Sequence, residues 1–201
     1  MPAATACPTQ AKITELPRVG FTIGHSTRPL PDFIEMLTAH QITTLIDVRT
    51  VPRSRHNPQF NRDTLPAALA AFEVAYLHAE GLGGFRPTGP DSPNKGWRNT
   101  SFRGYADYMQ TPEFGENLRW LMGLVEQQRT ALMCAEAVPW RCHRSMIADA
   151  LTIRGMTVQE IVSPARSQLH KVTPFAKVKG WDITYPAYEA ELLDTPESSA
   201  S

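Results

Sequence analysis

Cysteine is scarce, with three residues, Cys7, Cys134 and Cys142, in a chain of 201. Three thiols cannot build a disulfide framework, and the expectation is a reducing, cytoplasmic setting. No run of about eighteen apolar residues occurs, which excludes a helical membrane span. The opening stretch MPAATACPTQAK holds neither a basic leader nor an apolar core, so no secretory signal is expected. Net charge is lacking as well. Lys+Arg and Asp+Glu number 20 each, and the total gives no argument for a polyanionic partner. There is no internal repeat, and the one glycine cluster, GLGG at 81–84, does not fit a dinucleotide fingerprint because no helix is expected after it.

What is present is a globular composition, 42% hydrophobic and 20% charged, in a length suited to one domain with a sizeable core. Short apolar runs read as strands at 21–25, 43–48, 74–78, 130–135 and 157–162, the first two of them buried. Between them lie helical stretches: one capped by Asp32, one capped by Thr64 with Leu65, Leu69 and Phe72 inward, one opened by Thr111-Pro112-Glu113, and one over 143–154 closed by Gly155. Tyr105 to Met109 reads as a helical turn, and the segment after Ser163 has no clear pattern. Strands alternating with helices predict an α/β fold, a three-layer open and mostly parallel sheet of about five strands with helices on both faces. The boundaries read as an N-terminal extension at 1–20, one α/β domain at 21–185 and an acidic flexible tail at 186–201.

The charge distribution says more than its total. Fifteen of the 20 basic residues are arginine, the side chain that forks onto phosphates and guanine edges. Residues 48–62 carry Arg49, Arg53, Arg55 and Arg62 without an acid, and 92–105 carry Lys95, Arg98 and Arg103, again without one. In an open parallel sheet, ligands bind beyond the C-terminal ends of the strands. There the sequence gathers His25 and Ser26, then Asp47, Arg49, Arg53, Arg55, Asn57 and Gln59, then Trp97, Arg98, Arg103 and Tyr105, and finally Cys134, Glu136, Trp140, Arg141, Cys142, His143 and Arg144. Guanidinium forks hold phosphates while rings such as Phe60, Phe85, Trp97, Phe102, Tyr105 and Trp140 stack on bases, a combination suited to a nucleic acid strand or an extruded nucleotide.

The segment CAEAVPWRCHR is the densest in chemistry. A helix N-terminus lowers a thiol pKa, so Cys142 is a candidate thiolate, while Cys134 on its apolar strand reads first as a small buried hydrophobe. The strand, Cys loop, Arg and helix also suggest an anion cradle like that of Cys-dependent phosphatases and sulfurtransferases. Six residues separate Cys134 from Arg141, however, the loop has no glycine, and Glu136 would repel an anion. Cys134, Cys142 and His143, with His25 or His56 as a fourth, could ligate a metal. Their spacing matches no paired-cysteine pattern and ligands at adjacent positions are awkward, so no metal and no cofactor is expected.

IGHSTRPL, LIDVRTVPRSRHNPQFN, GWRNTSFRGYADYM and ALMCAEAVPWRCHRSMIADAL resemble the signature segments of domain-of-unknown-function family 488 over about 21–170. The resemblance implies a single α/β domain, no settled reaction, and a link to nucleic acid repair or processing among the ideas it raises. Its motif positions fall here on His25, Ser26, Asp47, Arg49, Asn57, Gln59, Phe60, Trp97, Arg98, Arg103, Tyr105, Cys134, Glu136, Cys142, His143 and Arg144.

The leading expectation is a hydrolase that binds a nucleic acid, DNA in preference to RNA, and acts on a base or sugar, in the manner of a repair glycosylase. Asp47, Glu136, Cys142 and His143 are its candidate catalytic groups. The binding surface would be His25, Ser26, Arg49, Arg53, Arg55, Asn57, Gln59, Trp97, Arg98, Arg103, Tyr105, Trp140, Arg141 and Arg144. Two alternatives stand beside it: a cysteine-dependent enzyme on a small anion, and a noncatalytic nucleic-acid-binding module.

Overall fold

A computed structural model describes residues 19–187. Cys7 and most of the expected extension and acidic tail lie outside the described residues. The expected strands form as β1 (Val19–Gly24), β2 (Thr44–Asp47), β3 (Ala75–His78), β4 (Thr130–Cys134) and β5 (Thr157–Ser163), with β1, β2 and β4 buried and β3 and β5 partly exposed. All five are parallel, and β6 (Arg166–Leu169) returns antiparallel along the edge, in the order β3-β2-β4-β1-β5-β6. This is the expected α/β fold with a mostly parallel sheet. β1 begins at Val19, inside the stretch assigned to the extension.

Helices connect the strands: α1 (Leu30–Ala39), α2 (Leu65–Ala70), α3 (Thr100–Tyr108), α4 (Pro112–Gln127) and α5 (Arg144–Thr152). Phe33, Ile34, Leu37, Leu65 and Leu69 from α1 and α2 pack on Phe21, Ile23, Leu45 and Met133 of one sheet face. Tyr105, Phe114, Leu118, Leu121, Met146 and Leu151 from α3 to α5 pack on Ile46, Leu132 and Val158 of the other. The alternation follows from side chains pointing to opposite faces every second residue along a strand. None of the described helices is long and apolar enough to cross a membrane.

This arrangement fixes where a ligand can enter. The connections from β1 and β2 leave toward the α1 and α2 face, whereas the connection from β4, which lies between them, leaves toward α5 on the opposite face. The backbone therefore parts at the C-terminal end of β4, the position at which open α/β sheets form their crevices.

Several local expectations are corrected. Pro29, not Asp32, precedes α1, and Asp32 sits within the first turn, where it favours the helix dipole without a capping bond. Thr64 precedes α2, but its hydroxyl donates to the carbonyls of Pro58 and Asn61 instead of capping. Phe72 is 52% exposed because α2 ends at Ala70 and its periodicity goes no further. α3 starts at Thr100, five residues before Tyr105, with the Asn99 side chain accepting from Ser101 N at 2.8 Å. The unplaced segment after Ser163 supplies β6 and a hairpin of β7 (Lys177–Lys179) and β8 (Asp182–Thr184).

Candidate functional site

The site is built on the end of β4. Cys134 closes the strand, residues 135–138 cross above the sheet, a short turn follows at Pro139–Arg141, and Cys142 leads into α5. Neighbouring strand ends hold this loop: His25 N donates to Cys134 O at 3.0 Å and Ser26 N to Ala135 O at 2.9 Å. Gly24 permits the approach, since a Cβ there would overlap the backbone of Glu136. Ser26 stands at φ 50°, an uncommon conformation for a residue with a side chain and one that concentrates at functional sites.

Cys142 is extended (φ −138°, ψ 140°) while His143 is already helical (φ −59°, ψ −18°). That change of backbone state brings adjacent side chains to one point. His143 Nδ1 is 3.8 Å from Cys142 Sγ and 4.0 Å from Cys134 Sγ. Its Nε2 lies 2.9 Å from Val48 O. A carbonyl only accepts, so Nε2 carries a proton and Nδ1 is the ring nitrogen that faces both sulfurs. From below, the buried Tyr105 ring supports the imidazole edge-on at 4.9 Å. Beside it, a Cβ on Gly84 would stand 2.6 Å from Nδ1.

A hydrogen bond from the Cys134 thiol holds the Cys142 thiol well below its ordinary range, assisted by His143 and Arg144 against the effect of burial. Giving that proton, and being buried, raises Cys134 well above it. Arg144 is 2% exposed and spends its guanidinium on the backbone carbonyls of Glu136 and Ala137. Among the described residues no carboxylate lies within ion-pair distance of it, and its charge favours the thiolate form of Cys142.

On the other wall, Arg49 donates Nε to Asp47 Oδ1 at 2.9 Å and Nη2 to Asp47 Oδ2, and Tyr76 adds its hydroxyl to Oδ2 at 2.7 Å. Arg49 Nη1 lies 3.2 Å from His25 Nε2. The guanidinium can only donate, so His25 holds its proton on Nδ1 and gives it to Ser26 O at 2.8 Å. Burial pushes the His25 pKa down to about 4, which keeps this tautomer neutral. Its ring stacks on Phe60 with centroids 4.2 Å apart.

These walls enclose a cavity of about 590 Å³. His25, Ser26, Arg49, Arg53, Asn57, Glu136, Arg141, Cys142 and His143 line it, as the sequence predicts, and Cys134 joins them. The family model described as "Domain of unknown function DUF488" matches residues 29–151. The chain belongs to this family. Comparison with curated proteins and with solved structures found no match. The DUF488 span runs from just before α1 to the last turn of α5 and thus covers nearly every lining residue, although His25, Ser26 and Thr27 precede it.

Not all predicted residues of this DUF488 chain converge. Asp47 is fully buried beneath the wall with both oxygens taken by Arg49 and Tyr76, so it is a support for Arg49 and not a group facing the cavity. Arg144 likewise acts from behind, as the clamp on the 136–137 carbonyls. Tyr105 is fully buried, its hydroxyl on Leu82 O at 3.1 Å. Gln59 ties its loop to Arg28 O at 3.2 Å. Arg55 lies just outside, in a shallow depression shared with Val51 and Arg53. Trp97, expected to stack on bases, instead packs against Phe102, Phe175 and Tyr185 with centroids 4.9–5.4 Å apart. Arg103 donates to Trp97 O at 3.0 Å. Arg98 and Trp140, the latter 71% exposed, are outside the lining.

Sequence reasoning missed Thr50, whose hydroxyl accepts from Phe85 N at 3.0 Å and so fixes the 76%-exposed Phe85 ring beside the cavity. The signal was the Gly83-Gly84 pair, where Gly83 marks a close approach of backbone to Thr50 and Gly84 one to His143.

Proposed function

We propose that the protein is a hydrolase acting on nucleic acid, DNA in preference to RNA, that draws one nucleotide into the cavity at the ends of β1, β2 and β4. One observation carries this reading: connections from three separate strands converge on a single crevice that combines cationic, aromatic and protic groups. Its volume falls in the range of about 300–1,000 Å³ typical of small-ligand sites, which suits an extruded nucleotide and not a whole duplex. Exposed Arg53 and Arg141 at the cavity, with Arg55 beside it, would take backbone phosphates. Phe85 offers a face for a base, and Asn57 and Ser26 offer donors and acceptors to its edge.

Glu136 is the acid–base group of this reading. Its side chain is exposed and lines the cavity, while its carbonyl is held by Arg144, so the carboxylate sits on a fixed support. The role that sequence alone divided between Asp47 and Glu136 thus falls to Glu136.

The contact between Cys142 and His143 favours a second reading, a thiolate enzyme acting on a small anion, because a lowered thiol beside an imidazole is how cysteine nucleophiles are prepared. Binding separates the two. Fluorescence anisotropy of a labelled single-stranded or mismatch-bearing oligonucleotide at low salt is expected to rise with protein, to fall as salt is added, and to weaken in Arg53→Ala/Arg141→Ala. Indifference to oligonucleotides in dilute buffer would remove the first reading.

A further inference from the structure

We infer that Cys134, Cys142 and His143 form a site for a divalent transition metal, zinc by the softness of its donors, on the floor of the cavity. The three donor atoms already lie within 4.8 Å of one another, with the two sulfur-to-nitrogen separations at 3.8 and 4.0 Å. A tetrahedral zinc with ordinary bond lengths needs donors roughly 3.5–3.8 Å apart, so the two sulfur–nitrogen pairs close by a few tenths of an ångström and the sulfur–sulfur pair, which lies within 4.8 Å, by at most about 1 Å. Softness supports the assignment, since two thiolates and an imidazole select zinc over hard cations.

The orientation of His143 is the second, independent observation. A ligating imidazole needs its other nitrogen fixed by an acceptor, and Nε2–H is committed to Val48 O at 2.9 Å. With that bond made, Nδ1 is the nitrogen that faces the two sulfurs, and the Tyr105 ring packs edge-on against the imidazole. Both ring nitrogens of His25 are taken, Nε2 accepting from Arg49 and Nδ1–H donating to Ser26 O, so no fourth protein ligand comes from that side. Three protein ligands with the fourth position toward a cavity is the arrangement of catalytic zinc, whereas structural zinc closes its shell with four.

The use of this ion rests on the hydrolase reading above; the site itself does not. Bound there, zinc would lower the pKa of a water at the open position. Glu136 takes a proton from that water, the remaining hydroxide bonds to the electrophilic carbon of a base or sugar, the carbon–nitrogen bond breaks, and the departing nitrogen receives the proton from Glu136. Water is added across one bond and nothing is oxidised or reduced. Neighbouring Arg144 offsets the negative charge of two thiolates and a hydroxide around a divalent ion.

Cobalt reports on the site without any knowledge of the substrate. Full-length protein stripped of metal and titrated with Co²⁺ is expected to show visible ligand-field bands and a near-ultraviolet thiolate-to-cobalt band that saturate at one ion per chain. Zinc should displace the cobalt and should slow alkylation of the wild-type cysteines by iodoacetamide at least tenfold. Cys134→Ser and Cys142→Ser, each checked for native circular dichroism, should lose the near-ultraviolet intensity. Folded wild type that gives no cobalt spectrum, and whose alkylation is indifferent to zinc, would overturn the site and leave the thiolate reading in place. A cobalt spectrum in a protein that ignores oligonucleotides would uphold the metal site and reject the nucleic acid reading alone.

Discussion

The buried guanidinium of Arg144 grips the backbone carbonyl of Glu136 and leaves its carboxylate to the cavity. One residue at the start of α5 thereby holds the loop that leaves β4, and the same cation stands beside Cys142.

Replacing Arg144 by Met should remove both bonds to the loop. Two carbonyls then lose their partners, at about 1–3 kcal/mol each. The expected outcome is a lower urea midpoint, by roughly 2–4 kcal/mol in unfolding free energy, together with faster amide exchange over 135–138. Unchanged exchange in that loop would show that something else holds it.

Asp47→Asn tests a division of labour. Asp47 faces Arg49 and Tyr76 and not the cavity, so its loss unpairs a buried guanidinium, and the expected cost is about 3–5 kcal/mol of stability. Denaturation of Asp47→Asn beside Glu136→Gln checks this: only the former should be destabilised. A fully stable Asp47→Asn without activity would instead make Asp47 the reacting carboxylate.

Two histidines set opposite limits on stability against pH. Burial opposes the charge on His170, but its bonds to Asp149 Oδ1 at 2.7 Å and Glu160 Oε1 at 3.1 Å outweigh burial and raise its pKa to about 9. The folded state therefore binds the proton more tightly than the unfolded chain, and this stabilisation is full below about pH 6.5 and lost as pH rises toward 9. His25 is lowered to about 4 by burial, so the unfolded chain takes up its proton first and stability falls between about pH 6.5 and 4. Thermal melts should show a maximum near pH 6.5. In His170→Gln the alkaline decline should be absent, and if it persists the Asp149–His170–Glu160 cluster is not its source.

Phe85→Ala should leave folding intact, since the ring is largely exposed, yet weaken oligonucleotide binding by roughly tenfold, within the 1–3 kcal/mol of one base–aromatic stack. Equal affinity in the variant would place the base elsewhere.

The parallel sheet was legible because β1, β2 and β4 carry short apolar cores, Phe21 to Ile23, Leu45-Ile46 and Ala131 to Cys134, within strands buried at nearly every position. β6, β7 and β8 were not, since their side chains are mostly exposed and carry no periodic signal. For the site, the clustering of polar residues after β1, β2 and β4 read through to real convergence. Arg98, Arg103, Trp97 and Tyr105 misled, whereas Phe102 does line the cavity, and the reason is physical: Trp97 packs in an aromatic cluster with Phe102, Phe175 and Tyr185, the last two from a segment without readable pattern. Asp47 misled in the same way, because a carboxylate at a strand end looks alike whether it faces a ligand or a buried arginine two residues on. Adjacent Cys142 and His143 looked unsuited to one point until the break from extended to helical backbone between them was known.

Single-turnover assays with single-stranded, mismatched and base-damaged oligonucleotides, comparing wild type with Glu136→Gln, test the central claim most directly. Wild type should release a free base or convert one in place, and Glu136→Gln should slow that step at least a hundredfold with stability and oligonucleotide affinity unchanged. Processing at the wild-type rate by Glu136→Gln, or no processing of any oligonucleotide by metal-loaded wild type, would contradict it.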